Sequence, residues 1–265
     1  MSARVLAEFA RMGFLDMLAY RMRYYTGVVN YFLSVTVYYF IWKAVFAASD
    51  SFGGFRFEEM ITYVVVGWII RSFYFNNIDW DLAMSILEGK VSMEMLRPVN
   101  LPSTYLGRAL GEAAFRSILL AAPTTVLLVL VFPVQPPTDA AHLGAFLVSL
   151  IGSVFLVASV NFIVGSCAIE LQSIQGLLRF KFWMQELLSG LLVPLTLFPA
   201  PLRAISGWLP FEHIGYTPLM IYLGKLEWSQ IWRTLAIEWC WIGLLLAFSN
   251  WFWNRLSRRI TIHGG

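Results

Sequence analysis

Six apolar stretches, at residues 28–48, 60–78, 105–132, 143–169, 182–199 and 231–253, constrain this chain more than any other feature. A hydrocarbon core of ~30 Å takes ~20 helical residues. Inside it every backbone amide must find its partner within the protein, a condition that helices meet segment by segment. The pattern therefore predicts an all-α polytopic membrane protein with six transmembrane helices. Composition agrees, with 58% of the 265 residues hydrophobic and 13% charged, against the ~25% charged of an ordinary soluble chain. A soluble fold this apolar would lack the polar surface to cover its core. Disordered, collagen-like and nucleic-acid-binding classes are excluded, because they need polarity, period-three glycine or clustered charge.

The chain ends set the orientation. Arg4, Glu8, Arg11 and Asp16 interrupt the place where the short apolar region of a signal peptide would sit. Val5, Leu6, Phe9, Met12, Leu15 and Leu18 recur at spacings of three and four, which predicts an amphipathic helix lying in the membrane interface over residues 1–27. The alternative for this stretch is a disordered lead-in. The six-span domain then covers 28–254 and a basic tail 255–265. With both termini in the cytoplasm, the inner side collects Arg4, Arg11, Arg21, Arg23, Arg71, Lys90, Arg97, Arg108, Arg179, Lys181, Arg255, Arg258 and Arg259. The outer side keeps Lys43, Arg56, Arg203, Lys225 and Arg233, and Arg116 falls within the third span. Thirteen against five is the positive-inside bias of a plasma (inner) membrane protein. Trp228 and Trp232 mark one end of the sixth span, and Trp251 and Trp253 the other.

Catalytic signatures are missing. Gly89-Lys90 and Gly224-Lys225 lack the upstream glycine and following hydroxyl of a phosphate-binding loop. No nucleophile elbow or zinc-protease motif occurs. His142, His213 and His263 are too far apart for a metal site, and Cys167 and Cys240 form no disulfide framework.

Two segments are patterned without being long enough to cross. On the inner side, Leu82, Ile86 and Leu87 repeat at helical spacing, Gly89 can end the turn, and Pro98 breaks whatever precedes it. This is either an apolar knob for a groove on a soluble partner or an interfacial helix covering the bundle. On the outer side, residues 200–230 hold Pro201, Pro210 and Pro218 and one apolar run at 219–223, which predicts short re-entrant or interfacial helices. Pro123 and Pro194 should kink the third and fifth spans. Pro194 and Pro199 bracket the outer end of the fifth, which either breaks into a plug with Phe198 and Phe211 or simply ends. Within the spans, Glu112 and Arg116 have the spacing and order of an intrahelical ion pair. Glu238 needs a partner from another element or a wet cavity, as a structural hydrogen bond or as a pathway residue. Asn161, Ser149 and Ser153 read as packing polar groups, and Gln185 and Glu186 as an interfacial cluster with Arg179 and Lys181.

Two blocks carry a resemblance. Ile86-Leu87-Glu88-Gly89 is followed by Leu96-Arg97-Pro98-Val99-Asn100. Some ninety residues later come Phe182-Trp183, Pro194, Phe198-Pro199, Leu209-Pro210-Phe211 and Tyr216-Thr217-Pro218. In this order and layout the chain resembles the ABC-2 type transporter permeases, in the compact six-span subfamily that works with a separate ATPase. The resemblance implies a permease subunit of an ATP-driven exporter that forms half of a substrate pathway. Its partners would be ABC ATPase subunits, a second permease chain (homodimer or heterodimer) and membrane lipid, with no nucleic acid. Leu82, Ile86, Leu87, Glu88, Gly89, Leu96, Arg97 and Pro98 would couple to the ATPase. Pro194, Phe198, Pro199, Phe211 and Glu238 would belong to the pathway or outer gate. The chain would have no catalytic residues, metal or cofactor of its own, with ATP and Mg held by the partner. The alternative is a stand-alone secondary transporter or channel, a class that often shows internal repeats with matching broken helices. No good repeat relates residues 1–132 to 133–265.

Overall fold

The computed structural model describes residues 3–19, 22–171 and 173–259. Arg21 and the tail residues 260–265, counted above with the inner side and the basic tail, lie outside the described residues.

The protein is 80% helical. In chain order come α1 (Ala3–Ala19), α2 (Met22–Phe46), a hairpin of β1 (Ser51–Phe52) and β2 (Phe55–Arg56), α3 (Phe57–Tyr74), α4 (Ile78–Leu87), α5 (Val91–Met95) and α6 (Leu101–Arg116). Then follow α7 (Ala122–Val131), α8 (Ala140–Ser166), α9 (Gln175–Leu188), α10 (Ala200–Gly207), α11 (Tyr216–Tyr222) and α12 (Trp228–Leu256). Ser51 pairs antiparallel with Arg56 across a turn made by Gly53 and Gly54, both at positive φ.

Four helices among the described residues are long and apolar enough to cross a membrane: Tyr25–Phe46, Leu101–Val131, Ala140–Ile169 and Trp228–Arg259. The six predicted stretches thus divide into four of this kind and two that differ. α3 carries Glu58, Glu59 and Arg71 in 18 residues. α9 has 14 residues and carries Arg179, Lys181 and Glu186. Both are held by protein. Every residue of α3 from Met60 to Gly67 is buried, and Gln185, Glu186 and Leu188 of α9 are buried too.

α6 and α7 form one helix through a π turn at Ser117–Ala121. Its cause is Pro123, which offers no N–H to the carbonyl one turn back and crowds it, so the helix widens there. The kink predicted at Pro123 is therefore a local widening just before the proline. α8 is the hub of the core, packing on α12, α4, α11 and α6. Leu156 is fully buried on α8 beside Val154 and Val157, in the same core as Met60, Tyr63 and Ile70 of α3.

The single helix expected over 1–27 is divided, with α1 ending at Ala19 and α2 already beginning at Met22, and α1 is met differently than its periodicity suggests. Its most extensive neighbour is α6. A side chain at Gly13 would stand 2.5 Å from the Arg108 carbonyl, one at Gly107 2.9 Å from Phe9, and one at Gly111 would strike the Ala10 carbonyl. Backbone therefore lies on backbone. Phe9 is buried, while Met12, Leu15 and Leu18 stay exposed. Protein, and not lipid alone, covers the apolar face of this helix.

Gly111→Leu should force α1 away from α6, at a cost of about 1–3 kcal/mol or more from overpacking. The expected readout is a lowered melting temperature in detergent, with a cysteine at Phe9 becoming reactive to maleimide. Gly243, with open space around its α-carbon, should accept Ala with no loss of stability.

Candidate functional site

At one end of the bundle the chain builds a platform from α4, α5 and the start of α6. α4 ends where Gly89 turns the chain at φ 73°, as the sequence spacing predicts. Its inner face lies directly on α8, where a side chain at Gly165 would meet the Asp79 carbonyl at 2.8 Å and Leu82 at 3.1 Å. Leu82 is fully buried there, and Ile86 is half-buried. Leu82 is thus part of this chain's own core, which revises the outward knob expected of it. The apolar groups left outside are Trp80, Leu87, Met93, Met95 and Leu96, the last 76% exposed. Glu88, Gly89, Arg97 and Pro98 are also exposed. Glu94 braces α5, accepting from Ser85 Oγ at 2.9 Å and from Tyr105 OH at 3.3 Å.

The Leu-Arg-Pro-Val-Asn run has a local structural role. Asn100 caps α6 by accepting from the Ser103 backbone N–H at 3.1 Å. Pro102 sits in the first turn, where its missing N–H costs nothing. The Asn100 amide also donates to Asn250 of α12 at 2.8 Å. The platform is tied in this way to α6 and α12.

Beneath the platform runs a belt of buried polar groups. Lys181 of α9 pairs with Asp79 of α4 at 2.7 Å and donates to Asn161 Oδ1 of α8 at 2.7 Å. Asn161 in turn donates to Asn76 at 2.9 Å. Arg71 of α3 pairs with Glu186 of α9, and its guanidinium lies 5.5 Å over Trp68 and 5.8 Å over Phe182. All four charged side chains are at most 14% exposed. Asn161 and Glu186 are thus bonded to charged partners, and Gln185 is buried beside them. Glu112 and Arg116 are both buried, and Arg116 lies 5.2 Å over the Phe75 ring. Two clefts flank the belt. One of ≈ 420 Å³ is lined by Asn76, Asp79, Trp80, Arg179 and Lys181 among others, and one of ≈ 320 Å³ by Tyr31, Trp68, Arg71, Asn77 and Arg116. Nothing in the local sequence marks Asp79 or Arg71, because their partners lie about a hundred residues away.

At the other end α9 stops at Leu188. Gly190 turns the chain at φ 64°, Tyr63 OH donates to its carbonyl, and Tyr216 N–H donates to Ser189 O at 2.8 Å. The break falls at residues 189–190, earlier than Pro194. Pro194 is buried after it, and Pro199 is exposed ahead of α10. Phe198 and Phe211 are both half-buried, Phe211 against the main core, and no ring contact joins them among the described residues. Glu238 is fully buried between α12 and α8, accepting from Ser149 Oγ at 2.7 Å. It lies over Gly152, which has no side chain to exclude it. Its partner is another helix of the same chain, and it lines neither cleft described above. Ser153 Oγ donates to the Ile214 carbonyl at 3.0 Å, holding the segment before α11 to α8. His213 is buried in the same region, with Nδ1 3.0 Å from Thr217 Oγ1 and Nε2 3.8 Å from Glu212.

These features define a class: a membrane-embedded helical bundle with a polar belt near one end and a partly apolar platform beyond it. Residues 32–264 match the family described as ABC-2 family transporter protein. The chain belongs to that family, so it is a membrane permease and a component of ABC transport. No curated protein and no solved structure matches it.

Lys181→Met would leave Asp79 buried without its cation, at a cost of about 3–5 kcal/mol. A large fall in melting temperature is expected, and adding Asp79→Leu should restore much of it. Recovery in the double variant distinguishes loss of the pair from loss of packing.

Proposed function

We propose that the chain is the transmembrane permease subunit of an ATP-driven exporter, forming one half of a substrate pathway. In this reading α3 and α9 cross along with the four long helices, giving six crossings. Both termini and the platform then lie on the cytoplasmic side of the plasma (inner) membrane. Energy comes from separate ABC ATPase subunits that hold ATP and Mg. The pathway is completed by a second permease chain, identical or related, since a two-fold arrangement closes such an assembly.

The observation that carries this reading is the platform itself. Leu87, Met93, Met95 and Leu96 are exposed at its surface, while its other face is seated on α8. Exposed methionine and leucine suit an adaptable docking surface. The seat makes that surface a lever. A displacement of α4 by a closing ATPase passes to α8 through the Gly165 contact and to α9 through Asp79–Lys181. The drive is the difference in ATPase affinity between the two arrangements of the permease. At the far end, the Gly190 break, Pro194, Phe198, Pro199 and Phe211 form the segment that parts as the halves tilt. Glu238 keeps α12 on α8 during that motion.

Leu87→Asp combined with Leu96→Asp tests the coupling. Both side chains are exposed, so the variant should insert and elute as wild type. A carboxylate pressed into an apolar groove should weaken ATPase association about tenfold or more. The measurement is co-purification with the ATPase together with ATP turnover of the complex. Undiminished association and turnover would remove the platform from the coupling path and favour a transporter that works alone.

A further inference from the structure

The cytoplasmic-side end of α12 holds a concave, basic site of ≈ 410 Å³ lined by Trp251, Asn254, Arg255, Arg258 and Arg259. From these residues we infer a binding site for the phosphate headgroup of an anionic phospholipid. The inference rests on the reading of α12 as membrane-crossing, which its length and composition support.

Depth argues for lipid. Trp232 and Trp251 are nineteen residues apart in one helix, or ~29 Å at 1.5 Å per residue, close to the ~30 Å of a hydrocarbon core. Both are exposed, at 67% and 56%, as aromatic residues are at the two boundaries of a bilayer. Asn254, Arg255 and Arg258 follow Trp251 by three, four and seven residues, which puts them ~5–10 Å beyond that boundary. Lipid phosphates lie at that depth.

Charge argues for an anion. Three guanidiniums converge on the site, and among the described residues Arg259 alone of the three has a carboxylate partner, Glu170 at 2.5 Å. That bond ties the turn Ser257–Arg259 to Glu170, just beyond the end of α8. Among the described residues no carboxylate occupies the forks of Arg255 and Arg258, and a guanidinium fork matches phosphate oxygens two at a time. Asn254 adds an amide donor, and the Trp251 ring supplies a floor for the glycerol and upper acyl chain. Anionic lipid is enriched in the cytoplasmic leaflet, where clustered arginines attract it. The lipid would pin the end of α12 beside Asn100 and the platform, to which Asn250 already bonds.

Native mass spectrometry of the purified full chain, released from bilayers of phosphatidylcholine doped with phosphatidylglycerol, tests this. Wild type should retain one phosphatidylglycerol in preference to phosphatidylcholine. Arg255→Gln with Arg258→Gln should retain it about tenfold less, while Arg56→Gln with Arg203→Gln, with the same charge loss at the opposite end, should retain it as wild type does. A photo-cross-linker at Asn254 should label phosphatidylglycerol in otherwise wild-type protein, which covers the case of an arginine variant that fails to fold. Equal loss in both double variants, or equal retention of the two lipids, would overturn the site. Displacement of the lipid by inorganic phosphate, itself retained, would make the ligand a free anion and overturn the lipid assignment. Unchanged lipid retention with weakened ATPase association would assign the arginines to a protein partner instead.

Discussion

Two ion pairs that bridge about a hundred residues of sequence make this bundle possible. Arg71–Glu186 and Asp79–Lys181 join the end of α3 and the start of α4 to α9. Each of these charges would be costly facing lipid. Paired with each other, backed by Asn161 and Asn76 and covered by Trp68 and Phe182, they let two charged helices sit among four apolar ones. A pair of this kind adds little net stability compared with apolar packing, but losing one member is expensive. Its effect is on geometry, because α9 has one position in which both Lys181 and Glu186 are satisfied.

That geometry sets where motion can enter. α4 cannot shift without carrying Asp79, and Asp79 carries Lys181 and hence α9. α8 moves too, because α4 lies against Gly165 with no side chain between them. The platform is therefore stiff on its inner face and apolar on its outer one. The opposite end is built differently. The segment from Gly190 to Pro199 has one short helical turn, Leu195–Leu197, and is held by bonds such as Tyr63 to Gly190 and Thr196 to Gly53 and by the burial of Leu191, Pro194 and Leu195.

What could be read from the sequence follows from range. Local patterns were legible. Apolar runs mark α6–α7, α8 and α12 to within a few residues and α2 only at its end, Gly89 marks the end of α4, and Pro123 marks the π turn. Features made by distant residues were not. Leu82 looks like its exposed neighbour Leu87 in sequence, and α8 alone decides that it is buried. Asp79 carries no local signal, and Asn161 looks like ordinary packing until Lys181 and Asn76 arrive beside it. Pro194 and Pro199 are the visible breakers, so the sequence places the end of α9 among them. It occurs at Ser189–Gly190, where Tyr63 and Tyr216 supply the hydrogen bonds that a helix would have supplied. Of the candidate site, the inner block was legible as a motif, but its division into buried and exposed faces was not.

The central claim is that α3 and α9, short and charged as they are, cross the membrane with the four long helices, putting the platform and the outer segment on opposite sides. Single cysteines at Ser51, Leu96 and Trp208, in a chain with Cys167 and Cys240 replaced by Ser, test it with an impermeant maleimide on sealed cells. Leu96 and Trp208 are among the most exposed side chains of their segments, at 76% and 83%. The account predicts labelling at Ser51 and Trp208 in intact cells, and at Leu96 only after permeabilisation. Leu96 labelling together with Ser51 would show that α3 does not cross, and Trp208 reacting only with Leu96 after permeabilisation would show the same for α9. Either result would contradict the account.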